Sequence, residues 1–179
     1  MKKLLIALAA FGFASTASAD NMEVQISSPV PTLGGTSGGI MINDEDAGDN
    51  TSYSLQGEVY YSLNENIQVG GMLGFGDQDT AGTELFYNLG VAARYNLDTE
   101  LRDSMFFGLG LNYSDAGNEA VDSTSIALFI QAGKRYALSD SLTYTPNVTY
   151  AMAVGGDDGY DEGSTIAINI LSFSGFMNL

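Results

Sequence analysis

The sequence contains no cysteine, no histidine and no tryptophan, and it has 6 basic residues against 22 acidic ones. Without cysteine, disulfide bonds cannot stabilise the fold. Enzymes that activate a hydroxyl or a water near neutral pH rely on a base such as histidine, and none is present. We therefore expect that this protein is not an enzyme. The formal net charge of −16 also leaves no basic patch for a nucleic acid partner.

Long apolar runs are also missing, apart from one at the start of the chain. Residues 1–3 are Met-Lys-Lys, residues 4–14 are apolar, and Ala17-Ser18-Ala19 fits a signal peptidase site. These features predict a secretory signal peptide over residues 1–19 that is cleaved after Ala19. Its apolar core is too short to span a bilayer. The exported protein is then either soluble or enters a membrane as strands.

A period of two in the apolar residues organises the remaining chain. Apolar and polar residues alternate from Thr51 to Leu63, and the alternation resumes from Ile67 to Phe75. Such alternation is typical of strands in a sheet with one apolar and one polar face. A polar turn at residues 64–66 joins the two runs, so the segment is predicted to form a β-hairpin.

The same unit repeats along the chain and predicts eight strands within residues 34–179, the first of them within residues 34–42. Acidic loops alternate with short turns between the strands. This arrangement is typical of an all-β, eight-stranded antiparallel up-and-down transmembrane β-barrel. Residues 20–33 are predicted to form an irregular N-terminal arm, although the alternation of apolar residues over 22–26 leaves room for one more strand.

A soluble barrel with its apolar face inward would show the same alternation. A membrane barrel, with its apolar face towards lipid, is favoured over a soluble one. The reason is that the apolar face carries aromatic residues near both strand ends, as expected at two membrane interfaces. Lys134 falls on this face, close enough to a turn for its amine to reach water. A change of parity between Ile170 and Phe173 predicts a β-bulge near Leu171-Ser172. The aromatic residues are Tyr53, Phe75, Tyr87 and Tyr113 near the acidic loops, and Tyr61, Tyr95, Tyr136 and Tyr144 near the short turns.

Residues 51–74, with the sequence TSYSLQGEVYYSLNENIQVGGMLG, resemble the second hairpin of the small outer-membrane β-barrel domain family. That family includes the OmpA transmembrane domain, OmpX and OmpW-like proteins, and the resemblance extends over residues 34–179. It implies a porin-like barrel in the outer membrane of a Gram-negative bacterium, with outer-membrane lipid and lipopolysaccharide as partners. It also implies contact with the barrel assembly machinery, which reads an aromatic residue near the C terminus. Here Phe176 precedes the final Leu179.

Three charged residues on the polar face of the predicted strands lie at similar distances from the short turns: Glu58, Arg94 and Arg135. An eight-stranded barrel is narrow enough for side chains of opposite walls to meet inside. Because an unpaired charge there would be costly, Glu58 is expected to pair with one or both arginines. This lumen ion cluster is predicted to act as a plug, with further hydrogen bonds from Gln56, Tyr60, Asn88 and Gln131.

The acidic loops supply weak candidates for a metal site, because carboxylates clustered on loops can bind Ca²⁺. The spacing Asp44-x-Asp46-x-Gly48 falls one residue short of the EF-hand pattern. A solvated acidic rim is the favoured interpretation, so no metal and no cofactor are predicted. The weak candidates are Asp44, Asp46, Asp157, Asp158 and Asp161.

The predicted function is thus that of a structural outer-membrane barrel with a plugged polar lumen and acidic extracellular loops. The alternatives are an in-membrane homo-oligomer, a lipid-binding barrel, a small-solute channel and a loop-mediated adhesin. Small residues on the lipid face would allow close contact between copies, although relief of curvature in a small barrel is the favoured reason for them. They are Gly57, Gly71, Ala93, Ala132 and Gly175.

Overall fold

The computed structural model describes residues 22–27, 40–45, 50–78, 86–115, 124–156 and 163–177. The predicted signal peptide and most of the acidic loops lie outside these residues. Nearly all of the described chain is strand or short turn, with one 3₁₀ turn at Leu101–Asp103. No helix in the described part of the chain is long and apolar enough to cross a membrane.

The described residues contain twelve strands, which form one antiparallel sheet in which most sequence neighbours are also neighbours in space. Hairpins connect the strands from the third to the seventh, as their alternating sequences predict. The strands are β1 (Met22–Ser27), β2 (Ile40–Glu45), β3 (Asn50–Ser62), β4 (Ile67–Gln78), β5 (Phe86–Asn96), β6 (Met105–Asp115), β7 (Thr124–Lys134), β8 (Tyr136–Ala137), β9 (Leu142–Tyr144), β10 (Asn147–Gly156), β11 (Ser164–Asn169) and β12 (Ser172–Met177).

Strand β1 corrects the prediction that residues 20–33 form an irregular arm. It pairs with β3 along one edge and with β12 along the other, so the first and last described strands are adjacent. The alternation over residues 22–26 explains this, because it places Glu23 and Gln25 on the buried face and Ile26 on the exposed face. Strand β2 overlaps the end of the strand predicted within residues 34–42, of which residues 34–39 lie outside the described residues, and it pairs with the first half of β3.

Three longer segments are each interrupted once. Arg135 separates β7 from β8, residues 145–146 separate β9 from β10, and residues 170–171 separate β11 from β12. Pro146 accounts for the second break, because proline has no backbone N–H to donate to a sheet ladder. The third break lies where the change of parity predicts a bulge. It keeps Ile168 and Phe173 on the same exposed face.

The two faces of the sheet have the reverse of the polarity found in water-soluble proteins. Leu109 and Ile130, at the centre of the apolar face, are 54% and 53% exposed. Arg94 and Arg135, on the polar face, are 1% and 0% exposed. Monomeric soluble proteins rarely expose a continuous apolar surface of this extent, and they almost never bury arginines so completely unless these are paired.

Glycines on the polar face make room for large side chains of the neighbouring strand. A Cβ atom added at Gly133 would lie 2.5 Å from Cζ of Phe106, which is closer than real atoms approach. The ring of Phe106 therefore lies directly over the backbone of its register partner. Five such pairs join adjacent strands: Tyr60 with Gly70, Met72 with Gly90, Asn88 with Gly74, Phe106 with Gly133, and Phe129 with Gly110.

Candidate functional site

Four charged side chains from four parts of the chain, three of them buried and one half-buried, meet on the polar face. Glu23 comes from β1, Glu58 from β3, Arg94 from β5, and Arg135 from the break between β7 and β8. We call these four residues the ionic cluster. Two negative and two positive charges balance within it, so it adds no net charge to the interior.

Glu23 is the carboxylate that contacts both arginines. Oε2 of Glu23 lies 2.7 Å from Nη2 of Arg135, and its Oε1 accepts a second hydrogen bond of 3.1 Å from Nε of the same guanidinium. This two-point contact is the strongest geometry available to an arginine and a carboxylate. Oε1 of Glu23 also lies 3.6 Å from Nη1 of Arg94. Both side chains of each pair are fully buried.

Glu58 takes the more exposed position in the ionic cluster. Its Oε2 lies 2.8 Å from Nη2 of Arg94, and its side chain retains 13% of its accessible surface. The hydroxyl of Tyr60 donates a 2.9 Å hydrogen bond to the same oxygen. The structure thus brings Glu58 and Arg94 together, whereas the carboxylate on Arg135 is that of Glu23.

Neutral side chains satisfy the remaining donors of Arg135. Its Nη1 donates to Oδ1 of Asn96 at 2.7 Å and to Oγ of Ser104 at 3.0 Å. Its Nη2 donates to Oε1 of Gln68 at 2.8 Å, and Gln68 in turn donates to Oε2 of Glu23 at 3.1 Å. The guanidinium is therefore held in one orientation from several strands, which fixes its position in the interior.

Amide oxygens accept hydrogen bonds from Nη2 of Arg94. Its Nη2 donates to Oε1 of Gln25 at 2.7 Å and to Oε1 of Gln131 at 2.8 Å. Gln131 was predicted to join the hydrogen-bonding network, and it also donates to Oδ1 of Asn147 at 3.2 Å. Asn88, predicted for the same role, has its side-chain amide packed over Gly74, and the side chain of Gln56 lies outside the description.

Aromatic rings and guanidinium groups alternate in a stack that crosses the interior. Cζ of Arg94 lies 3.6 Å from the ring centre of Tyr60 and 4.5 Å from that of Phe106. Phe106 also lies 4.5 Å from Cζ of Arg135, which is 6.0 Å from the ring of Phe176. Phe106 is therefore the common neighbour of both cations, and its π electrons attract each of them.

The sequence pattern missed Glu23 and Gln25. The signal was present, since both alternate with apolar residues over 22–26. The run is short, however, and it is followed at once by Pro29 and Pro31, which indicate an irregular segment. The inward position of these two side chains becomes clear only from the pairing of β1. This strand lies between β3 and β12, which present polar side chains on the same face.

Lys134 lies on the exposed face beside the turn, as its position in the sequence predicts. Its Nζ contacts the backbone oxygen of Asp103 and lies 2.9 Å from the carboxylate oxygen Oδ1 of that residue. The amine also lies 5.5 Å from the ring centre of Tyr136. The stem of the lysine therefore runs along the apolar face, while its charge is paired at the turn.

The side chains of the acidic metal candidates all lie outside the part of the chain that the structure describes. Backbone atoms of Asp44 lie in β2 opposite Thr51, and the other candidates, Asp46, Asp157, Asp158 and Asp161, lie outside the description. Within the part of the chain that the structure describes, no group of three or more acidic side chains is placed to hold a metal ion.

Replacing Glu23 with alanine should destabilise the protein more than replacing Glu58. Glu23→Ala leaves Arg135 buried without a counter-charge, and removing one partner of a buried pair costs about 3–5 kcal/mol. Glu58→Ala should cost clearly less, because Arg94 keeps Glu23 at 3.6 Å. Urea unfolding in lipid vesicles measures the free energy of unfolding of both variants. Equal losses of unfolding free energy would contradict the central place of Glu23.

Comparison with known proteins finds similarity at the level of fold. No protein-family model matches the chain, and no curated protein does so. The N-terminal β-barrel domain of Pseudomonas aeruginosa OprF matches 89% of this chain and 98% of its own chain, with a TM-score of 0.56 and 14% identity.

Two further solved structures give lower scores. Neisserial surface protein A has a TM-score of 0.49 at 17% identity, covering 89% of this chain and 96% of its own. OprG from Pseudomonas aeruginosa has a TM-score of 0.47 at 13% identity, covering 90% and 97%. On the match to the OprF domain, this chain has the fold of the small outer-membrane β-barrels that its sequence resembles.

Proposed function

We propose that this protein is a structural β-barrel of the bacterial outer membrane with a plugged lumen. One observation carries the proposal: the sheet exposes its apolar face and buries its charged face. In water this arrangement would be strongly unfavourable, because apolar surface is expelled from water and buried charge is costly. In a bilayer the same arrangement is stable, since lipid covers the apolar face and antiparallel pairing of the described strands satisfies their backbone polar groups.

Eight membrane-crossing segments follow from the strand pairing in this proposal. Strands β7 and β8 form one segment, β9 and β10 the next, and β11 and β12 the last. At the start of the chain, β1 and β2 pair with successive parts of β3 and together form the first segment. The ladder between β1 and β12 then joins the last segment to the first, and such closure removes the sheet edges that a bilayer does not tolerate.

Aromatic residues support the position of the bilayer. Tyr87 and Tyr113 lie side by side near one end of the sheet, with ring centres 6.2 Å apart. Tyr136 and Tyr144 are stacked near the other end, at 6.0 Å. Tyr87 and Tyr95 mark the two ends of β5. At ~3.3 Å per residue and a tilt of ~40°, eight residues rise about 20 Å, close to the apolar thickness that such barrels cross.

The plug is the ionic cluster with its amide and aromatic neighbours. Its side chains reach from β1, β3 and β5 to Arg135, which lies between β7 and β8, so they cross the interior rather than line one wall. Paired charges held by hydrogen bonds leave no free site for a permeating ion. Outer-membrane lipid and lipopolysaccharide are the proposed partners of the apolar face and the acidic rim. The sequence, which lacks histidine and cysteine, offers no support for a catalytic role.

Cell fractionation tests the location. Cells that express the full chain should hold it in the outer membrane, and unboiled protein should migrate differently from boiled protein on a denaturing gel, because a closed barrel resists unfolding by detergent. The matched control is the same sample after boiling. Recovery of the protein as a soluble periplasmic monomer would overturn the proposal.

Leu109→Arg tests which face meets lipid. Leu109 lies near the middle of β6 on the exposed face, and an arginine at the bilayer midplane costs about 2–4 kcal/mol. Asn112→Ser, on the polar face of the same strand, is the control and should cost far less. The free energy of unfolding in lipid vesicles gives both values. If the two substitutions have the same effect, the faces have been assigned incorrectly.

Planar bilayers test the plug. The purified wild-type protein, inserted at a density at which a known porin gives clear steps, should pass no steady current. The physical reason is that opening requires paired charges to separate inside the barrel, where water cannot compensate them. A large and stable conductance of the wild type would exclude the plug.

A further inference from the structure

The side chains that face the interior become smaller from the turn end to the loop end of several strands. On β6 they begin with Phe106 at the turn end and include Asn112 near the loop end. On β10 they begin with Asn147 and continue to Ala151 and Ala153. The residues at the turn end are buried, whereas Asn112, Ala151 and Ala153 are half-buried. An eight-stranded barrel is wide enough either to be filled by large side chains or to hold one small ligand. The small residues therefore leave a space in the loop half, which we call the loop-side cavity.

Glu58 is the charged residue that borders the loop-side cavity. It lies two residues closer to the loop end of β3 than Tyr60 does. Tyr60 and Arg94 are buried, whereas Glu58 keeps part of its accessible surface. That surface therefore faces the loop half of the interior rather than the filled turn half. A carboxylate has room for further hydrogen bonds beyond those that Glu58 accepts from Arg94 and Tyr60.

A chain of hydrogen bonds that begins at Arg94 fixes the orientation of three amide side chains. A guanidinium can only donate, so Gln131 presents its Oε1 to Arg94 and its Nε2 to Oδ1 of Asn147. Nδ2 of Asn147 donates to the backbone oxygen of Thr145, so Asn169 donates its own Nδ2 to the same Oδ1, at 2.8 Å. Oδ1 of Asn169 is left as a buried acceptor with no hydrogen-bond partner among the described residues. Because an unpaired buried acceptor is costly, this oxygen favours an additional donor.

Glu58 and Asn169 lie on either side of Gln25. Strand β1 pairs with β3 along one edge and with β12, the continuation of β11, along the other. Glu58 is the register partner of Gln25. Nε2 of Gln25 donates to Oγ of Ser172, which follows Asn169 by three residues. Ala167 lies two residues closer to the loop end than Asn169 and is half-buried on the same face. A carboxylate, an amide oxygen and a small apolar wall therefore border one part of the loop-side cavity.

The entrance to the loop-side cavity carries negative charge and no positive charge. The six basic residues of the chain all lie elsewhere: two in the predicted signal peptide, two in the ionic cluster, and Arg102 and Lys134 at the short turns. The sequences of the loops at the other end contain acidic residues but no lysine or arginine. A mouth of one sign raises the local concentration of ions of the opposite sign. Cations are therefore favoured over anions in this half of the interior.

We infer that the loop-side cavity binds a small alkylammonium ion. The ammonium group lies between Glu58 and Asn169, and a short alkyl chain lies against the alanines of β10 and β11. This inference rests on the proposed function, since the loop end must face water outside the cell. A primary ammonium group has three N–H donors, enough for a carboxylate and an amide oxygen at once, and hydrogen bonds to charged groups are among the stronger ones. The ion stays on the loop side, because the ionic cluster fills the interior beyond it.

Isothermal titration calorimetry of the folded protein in zwitterionic detergent tests this inference, with n-butylammonium chloride as the probe. Butylammonium should bind, whereas sodium chloride and tetramethylammonium chloride at the same ionic strength should give no saturable heat. Sodium lacks the alkyl chain, and tetramethylammonium lacks the N–H donors. Each control therefore removes one part of the recognition and keeps the positive charge.

Two substitutions remove the two parts of the site. Ala167→Leu fills the space beside Asn169, and Asn169→Leu removes the amide oxygen. Each should weaken butylammonium binding by about tenfold or more, which for Asn169→Leu is the effect of losing one hydrogen bond to a charged group. Ala132→Leu makes the same change as Ala167→Leu on the exposed face of β7. It is the matched control and should bind as the wild type does.

Each variant is first shown to fold by the mobility shift of the unboiled protein, and Ala167→Val replaces Ala167→Leu if the leucine variant fails this check. Equal binding of butylammonium and tetramethylammonium would overturn the inference, since the acidic loops would then attract any cation. Absence of binding, or binding that the substitution at Ala167 leaves unchanged, would overturn it as well. These results leave the proposed plug standing. The plug fails instead if the wild type passes a large and stable current, so failure of the two proposals can be told apart.

Discussion

The pairing of two buried arginines with two carboxylates is the interaction on which the interior depends. A guanidinium that lost its carboxylate here would have neither water nor a counter-charge, at a cost of several kcal/mol. The arginines therefore require β1 and β3 to present Glu23 and Glu58 in the observed register. A slip of one residue in either strand would turn the carboxylate towards the apolar face. Charge pairing thus fixes the register of strands that are not neighbours in the sheet.

The interior accommodates this cluster because large and small residues are matched across the ladders. Phe106 can lie close to both arginines only because its register partner, Gly133, has no side chain. Tyr60 makes the same use of Gly70. The glycines of the polar face are consequently part of the packing, and each is tied to one particular ring. On the apolar face, by contrast, the side chains contact fluid lipid, so they need to be apolar but need not match one another in size.

Much of the fold could be predicted from the sequence because it follows from alternation, which is a local property. The run from Thr51 to Leu63 predicts a strand that the structure places at Asn50–Ser62, and the run from Ile67 to Phe75 corresponds to Ile67–Gln78. Strand β1 could be given only as an alternative to an irregular arm, because its six residues are too few for a clear period. Its role depends on pairing with both ends of the sheet, which the local sequence does not encode.

The part of the site that could be predicted is the part in which two residues meet because they lie equally far from the turns along their strands. Glu58 and Arg94 lie at similar heights on β3 and β5, and counting residues from the turns was enough to bring them together. Arg135 has a partner, Glu23, that lies 112 residues away in the sequence. The aromatic stack was not foreseen either, since Phe106 and Phe176 read simply as apolar residues. The inward orientation of Phe106 follows from the alternation of β6, in which Met105 and Phe107 face outward. That of Phe176 follows from the change of parity before β12.

The sequence separation of these contacts has a consequence for how the chain folds. Gln25 donates to Ser172 across 147 residues, and Glu23 contacts Arg135 across 112. Local hairpins such as β3–β4 can form early, but these interior contacts cannot form until the last strand has joined the first. Folding that depends on such distant contacts is slow, because closure of the intervening chain costs entropy before any contact repays it. We therefore expect an incomplete barrel to hold its arginines unpaired, so that its assembly is cooperative and its last ladder is the committing step.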